Sequence, residues 1–194
     1  MTNVIDFYFD FISPYSFLAH KRIVKIQKNE NIKFSYKPIL LGGLHNLAGI
    51  TAPALIKSKK NYLVEDCEMV AKKYNIDFVF NEKFPINSLK LMRGLLSVKD
   101  EVKDEYIDRF FDAYWLLNVD LNDEKNITNF LNELKVDCVN FYENIKKQET
   151  KELLTKLTQE AFDKKVFGAP TFVVNNKIFW GQDRLDYALD EFKN

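Results

Sequence analysis

The sequence predicts an α/β fold in which strands from both ends of the chain form one sheet, with a large all-helical insertion between them. Residues 1–50 follow a strand–helix–strand pattern and residues 166–194 a strand–strand–helix pattern, whereas residues 51–165 have helical periodicity. Because two strands alone make only a marginal sheet, the two ends are expected to pair. We therefore expect a sheet-bearing domain made of 1–50 and 166–194, and an inserted helical domain at 51–165.

The opening of the chain has the pattern of a βαβ unit. The first strand is predicted at residues 3–9, NVIDFYF, which combine β-branched and aromatic residues. Ser13 before Pro14 indicates a helix start, because a serine hydroxyl can accept from free N–H groups and proline needs no donor at the first helical position. Residues 32–40 then alternate again. Such a unit favours parallel strands joined by a right-handed crossover.

The rest of the chain is predicted as a series of helices followed by a hairpin. The helical segments, separated by Asn, Asp and Pro residues, are 53–74, 88–99, 101–117, 123–133, 138–148 and 150–165. After Gly-Ala-Pro at 168–170, the runs TFVV and KIFW are joined by Asn175 and Asn176, which tolerate positive φ. A closing helix is expected from Asp183. This order of elements is the thioredoxin-like architecture with a helical insertion.

The composition indicates an ordinary globular protein of 194 residues, 46% hydrophobic and 29% charged. Lys plus Arg and Asp plus Glu each number 28, so no basic surface for nucleic acid is expected. No run approaches the roughly 18 apolar residues of a membrane-spanning helix, and Asp6 and Asp10 interrupt the apolar N-terminal run, which favours structure over a signal peptide. Cys67 and Cys138 fit no disulfide or metal pattern. We therefore expect a cytoplasmic protein with two inert core thiols.

Five segments, in order along almost the whole chain, resemble the 2-hydroxychromene-2-carboxylate isomerase family, which lies close to kappa-class glutathione transferases and DsbA-type oxidoreductases. They are FDFISPYSFLA at 9–19, GGLHNLAG at 42–49, FPINSLKLMR at 84–93, VFGAPTFVV at 166–174 and FWGQDRLDYAL at 179–189. The resemblance implies glutathione as cofactor, a small aromatic or electrophilic substrate and a homodimer. Ser-Pro-Tyr-Ser stands where the oxidoreductases carry Cys-X-X-Cys, and two hydroxyls cannot form a disulfide. Dithiol exchange by this segment is therefore excluded.

The same resemblance identifies Ser13 as the catalytic residue that contacts the sulfur of glutathione. A helix N-terminus lowers the pKa of a thiol, and a hydroxyl that donates to a thiolate forms a charge-assisted hydrogen bond. The alternative is that Ser13 is only a helix N-cap, and Ser16 is expected to cap or pack locally. A nucleophilic serine would need a base in reach, but His20 lies about 10 Å further along the helix. His45 falls in a segment expected to be a loop.

Four further residues match the family positions that bind glutathione at the C-terminal end of the chain. The resemblance implies a cis peptide bond at Pro170 that turns the backbone of Ala169 toward the cysteinyl part of glutathione, as an added strand would lie. A proline that merely begins a strand is the alternative. Gln182 and Asp183 match residues that hold the γ-glutamyl end, where free N–H groups of a helix start would receive its carboxylate. Asp183 could equally be an N-cap.

The insertion contributes one matched residue, Lys59, which corresponds to a lysine that meets the glycyl carboxylate. Asp66 follows seven positions later on the same helix face, and either residue could equally be a solvated charge. Ile50 stands where the family often has an asparagine that reaches the substrate, so an alkyl chain replaces a polar contact. The apolar half of a substrate pocket is expected to include Tyr15, Phe84 and Trp180.

The sequence therefore predicts a glutathione-dependent isomerase in which the thiolate adds reversibly to a conjugated aromatic substrate. A kappa-like glutathione transferase, which would conjugate or reduce electrophiles with the same thiolate, is the alternative. A non-catalytic thioredoxin-fold binding protein is a third possibility. A stable thioether product would distinguish the transferase from the isomerase, and the absence of saturable glutathione binding would favour the binding protein.

Overall fold

The structure, a computed structural model, describes residues 4–194, so residue 3 of the predicted first strand lies outside the described residues. The strands are β1 (Ile5–Phe9), β2 (Phe34–Pro38), β3 (Thr171–Val174) and β4 (Lys177–Trp180). The helices are α1 (Pro14–Asn29), α2 (Leu41–Ala48), α3 (Lys57–Tyr74), α4 (Leu89–Ser97), α5 (Asp100–Trp115), α6 (Glu124–Glu133), α7 (Cys138–Asn144), α8 (Gln148–Asp163) and α9 (Leu185–Lys193). Short 3₁₀ turns occupy Pro53–Leu55 and Gln182–Arg184.

The strands of the two ends pair into one four-stranded sheet within residues 4–194, in the order β2-β1-β3-β4. β1 runs parallel to β2, with Ile5 opposite Phe34, and antiparallel to β3, with Phe7 opposite Phe172. β3 and β4 form an antiparallel hairpin. Asn175 and Asn176 have φ values of 50° and 61° at its turn. The predicted thioredoxin-like sheet, joined from both ends of the chain, is confirmed.

One segment differs from its prediction: the residues around His45, expected to be a loop, form helix α2. Its first turn obtains hydrogen-bond partners from distant residues. The Asp10 carboxylate accepts from the backbone N–H of Leu41 at 2.8 Å, and the Thr158 hydroxyl accepts from that of Leu40 at 3.0 Å. These partners satisfy N–H groups that an isolated helix start leaves free.

The hydrophobic core crosses from the sheet into the helical insertion. Phe9 on β1 packs against Phe111 on α5, and both are fully buried. The indole N–H of Trp115, at the end of α5, donates to the carbonyl of Phe11 at 2.8 Å. The insertion and the sheet share these contacts. The division into two domains at residues 50 and 165 stays a prediction.

The two cysteines are both free thiols. Cys67 is fully buried, and this burial raises the pKa of its thiol well above the ordinary range. Cys138 is half-buried, with its sulfur 3.3 Å from the side-chain oxygen of Asn132. The prediction of an unreactive thiol is therefore supported most directly at Cys67. Among the helices of residues 4–194, none has the length and apolar character needed to cross a bilayer.

Candidate active site

A cavity of about 410 Å³ lies where the first turn of α1, one face of α3, the start of β3 and the turn after β4 meet. Its size falls within the range of about 300–1,000 Å³ typical of small-molecule sites. Four of the residues predicted to bind glutathione line it: Ala169, Pro170, Gln182 and Asp183. The fold thus brings residues from both ends of the chain and from the insertion to one site.

Ser13 is not among the residues that line this cavity, but it contacts the lining residue Ala169 and is only 4% exposed. It adopts an extended backbone conformation and caps α1, its side-chain oxygen accepting from the backbone N–H of Ser16 at 3.1 Å. The same hydroxyl donates to the carbonyl of Ala169 at 3.0 Å. Because a hydroxyl has a single proton to donate, a bond from Ser13 to a thiolate requires the hydroxyl to turn away from Ala169.

The segment before β3 has the predicted geometry at its proline. The peptide bond between Ala169 and Pro170 is cis, which confirms that expectation. The Pro170 carbonyl accepts from the backbone N–H of Gly181 at 2.9 Å, which joins this segment to the turn after β4. A Cβ at Gly168 would lie 2.6 Å from the indole nitrogen of Trp180, so the glycine allows the indole to pack directly on the chain.

The turn after β4 carries two oxygen acceptors, one of them buried and the other largely exposed. Gln182 is 7% exposed, and its buried side-chain oxygen Oε1 has no hydrogen-bond partner within residues 4–194. Leaving a buried acceptor unpaired costs about 1–3 kcal/mol, so a donor that reaches this oxygen would be stabilising. The Asp183 carboxylate is largely exposed and lies 3.5 Å from Arg184. A Cβ at Gly181, where φ is 108°, would lie 2.5 Å from an Asp183 carboxylate oxygen.

The opposite wall joins α1 to α3 through Tyr15 and Asp66. The Tyr15 hydroxyl donates to Asp66 at 2.6 Å, while the Tyr62 hydroxyl is 3.5 Å from the other carboxylate oxygen. Burial and this hydrogen bond raise the pKa of Tyr15 well above its ordinary value, so the phenol stays protonated and remains a donor. From the sequence, Asp66 could be either a ligand contact or a solvated charge. In the structure it lines the cavity.

Several other residues singled out by sequence lie away from the cavity lining. Lys59 is exposed and outside the lining, although it is on the same helix as Asp66, so its contact with glutathione stays a prediction. Tyr15 and Trp180 line the cavity as expected, but Phe84 instead lines a separate groove beside Lys60. The expectation for Phe84 is therefore wrong, because its ring packs against Phe80 and Trp115 and not beside Ala169 and Trp180. Ile50 is half-buried outside the lining.

His20 is buried in a different polar cluster. Its Nδ1 lies 2.8 Å from the Tyr36 hydroxyl and its Nε2 lies 3.1 Å from the Asp108 carboxylate. Burial lowers the pKa of the imidazole despite the nearby carboxylate. Both ring nitrogens are therefore engaged away from Ser13, in agreement with the expectation that His20 does not act as its base.

Comparisons with known proteins point to one group of relatives. The profile of the DSBA-like thioredoxin domain matches residues 4–193. A 2-hydroxychromene-2-carboxylate isomerase from Pseudomonas sp. (strain C18) is 30% identical over 94% of this chain and 86% of its own length. Glutathione S-transferase kappa 1 from Rattus norvegicus is 24% identical over 97% of this chain and 92% of its own. A solved 2-hydroxychromene-2-carboxylate isomerase structure superposes with a TM-score of 0.88 at 28% identity, covering 96% of this chain and 93% of that one.

Proposed function

The chain belongs to the 2-hydroxychromene-2-carboxylate isomerase family of DSBA-like thioredoxin domains, and from this we propose that it is a glutathione-dependent isomerase. Its relatives are named as isomerases and as kappa glutathione transferases, so it is an enzyme. The finer proposal is that glutathione is its cofactor, that a small conjugated aromatic compound is its substrate, and that Ser13 acts on the sulfur.

The observation that supports glutathione as the cofactor is the unpartnered Oε1 of Gln182. This acceptor is buried in the cavity wall, and the Asp183 carboxylate lies at the next position of the same turn. The γ-glutamyl end of glutathione carries an ammonium group with three N–H donors, which suits two adjacent acceptors. The residues present therefore fit glutathione, and the backbone at Ala169 and Pro170 would receive its cysteinyl part.

When bound, glutathione supplies a nucleophilic thiolate that can add to a conjugated substrate and leave again. Ser13 holds that sulfur in its ionised form by turning its hydroxyl from Ala169 to the thiolate. The N-terminus of α1 adds the partial positive charge of its backbone dipoles, which also lowers a thiol pKa. Tyr15 keeps its proton at neutral pH and donates it in a hydrogen bond to Asp66, which fixes that wall of the cavity, while Trp180 offers an apolar face to an aromatic ring.

The experiment that tests this proposal follows both the substrate and glutathione. 2-Hydroxychromene-2-carboxylate is incubated with the protein at substoichiometric glutathione, and the products are separated by liquid chromatography and mass spectrometry. We expect isomer to form over many turnovers with glutathione recovered unchanged. A stable thioether that consumes glutathione would instead make the protein a kappa-like transferase.

Calorimetric titration with glutathione completes the test. Saturable binding is expected, and its absence would refute the cofactor. A homodimer and a cytoplasmic location, both expected from the sequence, form part of the same proposal. Light scattering coupled to size-exclusion chromatography measures the first, and localisation of the tagged chain measures the second.

A further inference from the structure

Arg22 is a buried cation behind the candidate active site that the chemistry above leaves unused. It lies on α1, more than two turns beyond Ser13, and is 7% exposed. Its guanidinium donates from Nη1 to the carbonyl of Gln182 at 2.9 Å and from Nη2 to the Asp186 carboxylate at 2.6 Å. It also stacks on the ring of Tyr74, 3.9 Å from the centroid.

These contacts join the two walls of the cavity. Gln182 belongs to the turn that carries the unpartnered acceptor, and Tyr74 ends α3, the helix that carries Asp66. The guanidinium is planar, so its two nitrogens can hold the turn and the first residues of α9 while its face rests on the aromatic ring. A lysine has a single charged nitrogen and cannot reproduce all three contacts.

The Gln182 carbonyl is held by Arg22, whereas the preceding residue, Gly181, has wide conformational freedom. Gly181 precedes Gln182 with φ of 108°, a conformation in which glycine has little steric restriction. The hydrogen bond from Arg22 therefore restrains the backbone of Gln182, a residue of the cavity lining. Asp186, in the first turn of α9, balances the positive charge of Arg22, which would otherwise be unfavourable near a helix N-terminus.

We propose that Arg22 is a positioning residue for the part of the site that binds the γ-glutamyl group. It acts through the Gln182 backbone, which orients the side-chain oxygen Oε1, and it sets the separation between this turn and α3. The proposal rests on the proposed function, since it assumes that glutathione is the ligand. It adds a residue outside the cavity lining that determines how tightly one end of that ligand is bound.

The test compares two ligands, glutathione and cysteinylglycine, which lacks the γ-glutamyl group. Their dissociation constants are measured by calorimetry for the unchanged protein, Arg22→Met and Arg22→Lys. We expect both variants to weaken glutathione about tenfold, or about 1.4 kcal/mol. Cysteinylglycine, which makes no contact with Gln182, should change less than about twofold by the same reasoning. The KM for glutathione should rise while kcat at saturating glutathione is retained.

Lys25→Met is the matched control. Lys25 lies on the same helix and donates to the carbonyls of Tyr74 and Asn75, each at 3.1 Å. The Lys25→Met substitution therefore removes a cation that is bound to the same end of α3. We expect it to leave both ligands unaffected. Arg22→Lys keeps the positive charge, so it provides the test even if the methionine variant does not fold.

The outcomes separate the two proposals. If the unchanged protein shows no saturable glutathione binding, the proposed function fails and the role of Arg22 fails with it. If glutathione binds but the Arg22 variants bind it equally well, only the positioning role is refuted. An equal loss for glutathione and cysteinylglycine also refutes it, because a general disturbance of the fold would weaken both ligands.

Discussion

The hydroxyl of Ser13 donates a hydrogen bond to the carbonyl of Ala169, 156 positions away in the sequence. This bond joins the start of α1 to the segment before β3, and so joins the two ends of the chain at the candidate active site. It also means that the hydroxyl already points toward the segment proposed to receive the cysteinyl part of glutathione. A hydrogen bond from Ser13 to a thiolate would take the place of this one, because the hydroxyl has a single proton to donate.

Replacing Ser13 by alanine should raise the pKa of bound glutathione. The alanine removes the donor to the thiolate, and it also removes the N-cap, which costs about 0.5–2 kcal/mol of stability. The thiolate is followed by its ultraviolet absorbance during a pH titration of the complex. Ser13→Thr keeps a hydroxyl able to cap α1 and serves as the control for stability. A titration in Ser13→Ala that overlays that of the unchanged protein would exclude the proposed role.

The sequence was sufficient for much of the fold because its local signals agree with the tertiary structure. Ser13 before Pro14 marks the start of α1, and the Asn175-Asn176 pair marks the hairpin turn. It was insufficient for α2, since two glycines near its start disfavour a helix and the residues that stabilise its first turn, Asp10 and Thr158, are distant in sequence. Helices of this kind depend on tertiary partners that no local pattern reveals.

The site shows the same division between local and distant information. The cis peptide bond at Pro170 and the cavity position of Gln182 were expected from matched motifs, whereas the contact between Tyr15 and Asp66 was not. A helical spacing can place Asp66 on a face of α3 but cannot say which residue of α1 meets it. Arg22 was missed for a related reason: in sequence it is one of several basic residues of an amphipathic helix, and only its burial separates it from them.

Replacing Gln182 by methionine should have opposite effects on the free and bound protein. Loss of the buried, unpartnered oxygen should leave the free protein as stable or up to about 1–3 kcal/mol more stable, the cost of an unsatisfied buried acceptor. Glutathione affinity should fall about tenfold if one charge-assisted hydrogen bond is lost. Thermal unfolding and calorimetry measure the two effects. Gln159→Met, at an exposed position of α8, is the control that should change neither.

Replacing Tyr15 by phenylalanine should destabilise the fold by about 1.5–3 kcal/mol, the usual value of a hydrogen bond to a charged group. The change removes the donor that Asp66 accepts from at 2.6 Å and so loosens α3 from α1. Chemical denaturation measures the loss. Tyr62→Phe is matched to it, since the Tyr62 hydroxyl is exposed and 3.5 Å from the same carboxylate, and it should cost almost nothing. Equal effects of the two variants would contradict a specific role for Tyr15.

A methyl group at position 168 should displace the indole of Trp180. The added Cβ would lie 2.6 Å from the indole nitrogen, closer than real Cβ contacts permit, and the indole forms part of the cavity wall. Gly168→Ala should therefore change the tryptophan fluorescence and weaken binding of an aromatic substrate. Gly42→Ala adds the same methyl group where nothing lies within 4 Å, and it should leave both properties unchanged. A Gly168→Ala variant with unaltered fluorescence would show that the indole is not held there.

Asp10 should make the fold less stable as the pH rises from about 4 to about 7. The side chain is fully buried and accepts from the backbone N–H groups of Ile12 and Leu41 and from the side chain of Ser88. Burial outweighs these hydrogen bonds and raises the pKa of the carboxyl to about 6. In the unfolded chain its pKa is about 3.9, so the folded state retains a proton that the unfolded state has lost between these values. The stability is therefore highest below the unfolded pKa and falls by about 3 kcal/mol once the pH passes the folded pKa.

The test of this pH dependence is a comparison of slopes between the unchanged protein and Asp10→Asn. The amide does not titrate, so the fall in unfolding free energy between pH 4 and pH 7 should be smaller in the variant by about 3 kcal/mol. Absolute stabilities are not compared, because the amide has one oxygen where the two carboxylate oxygens accept from Leu41, Ser88 and Ile12. Asp108, whose pKa is held low by hydrogen bonds from His20 and Lys21, adds stability above its unfolded pKa that is lost as the pH falls. It is present in both proteins, so its contribution cancels. Parallel curves from urea denaturation would mean that Asp10 stays ionised in the folded state, with the hydrogen bonds from Leu41, Ser88 and Ile12 outweighing its burial.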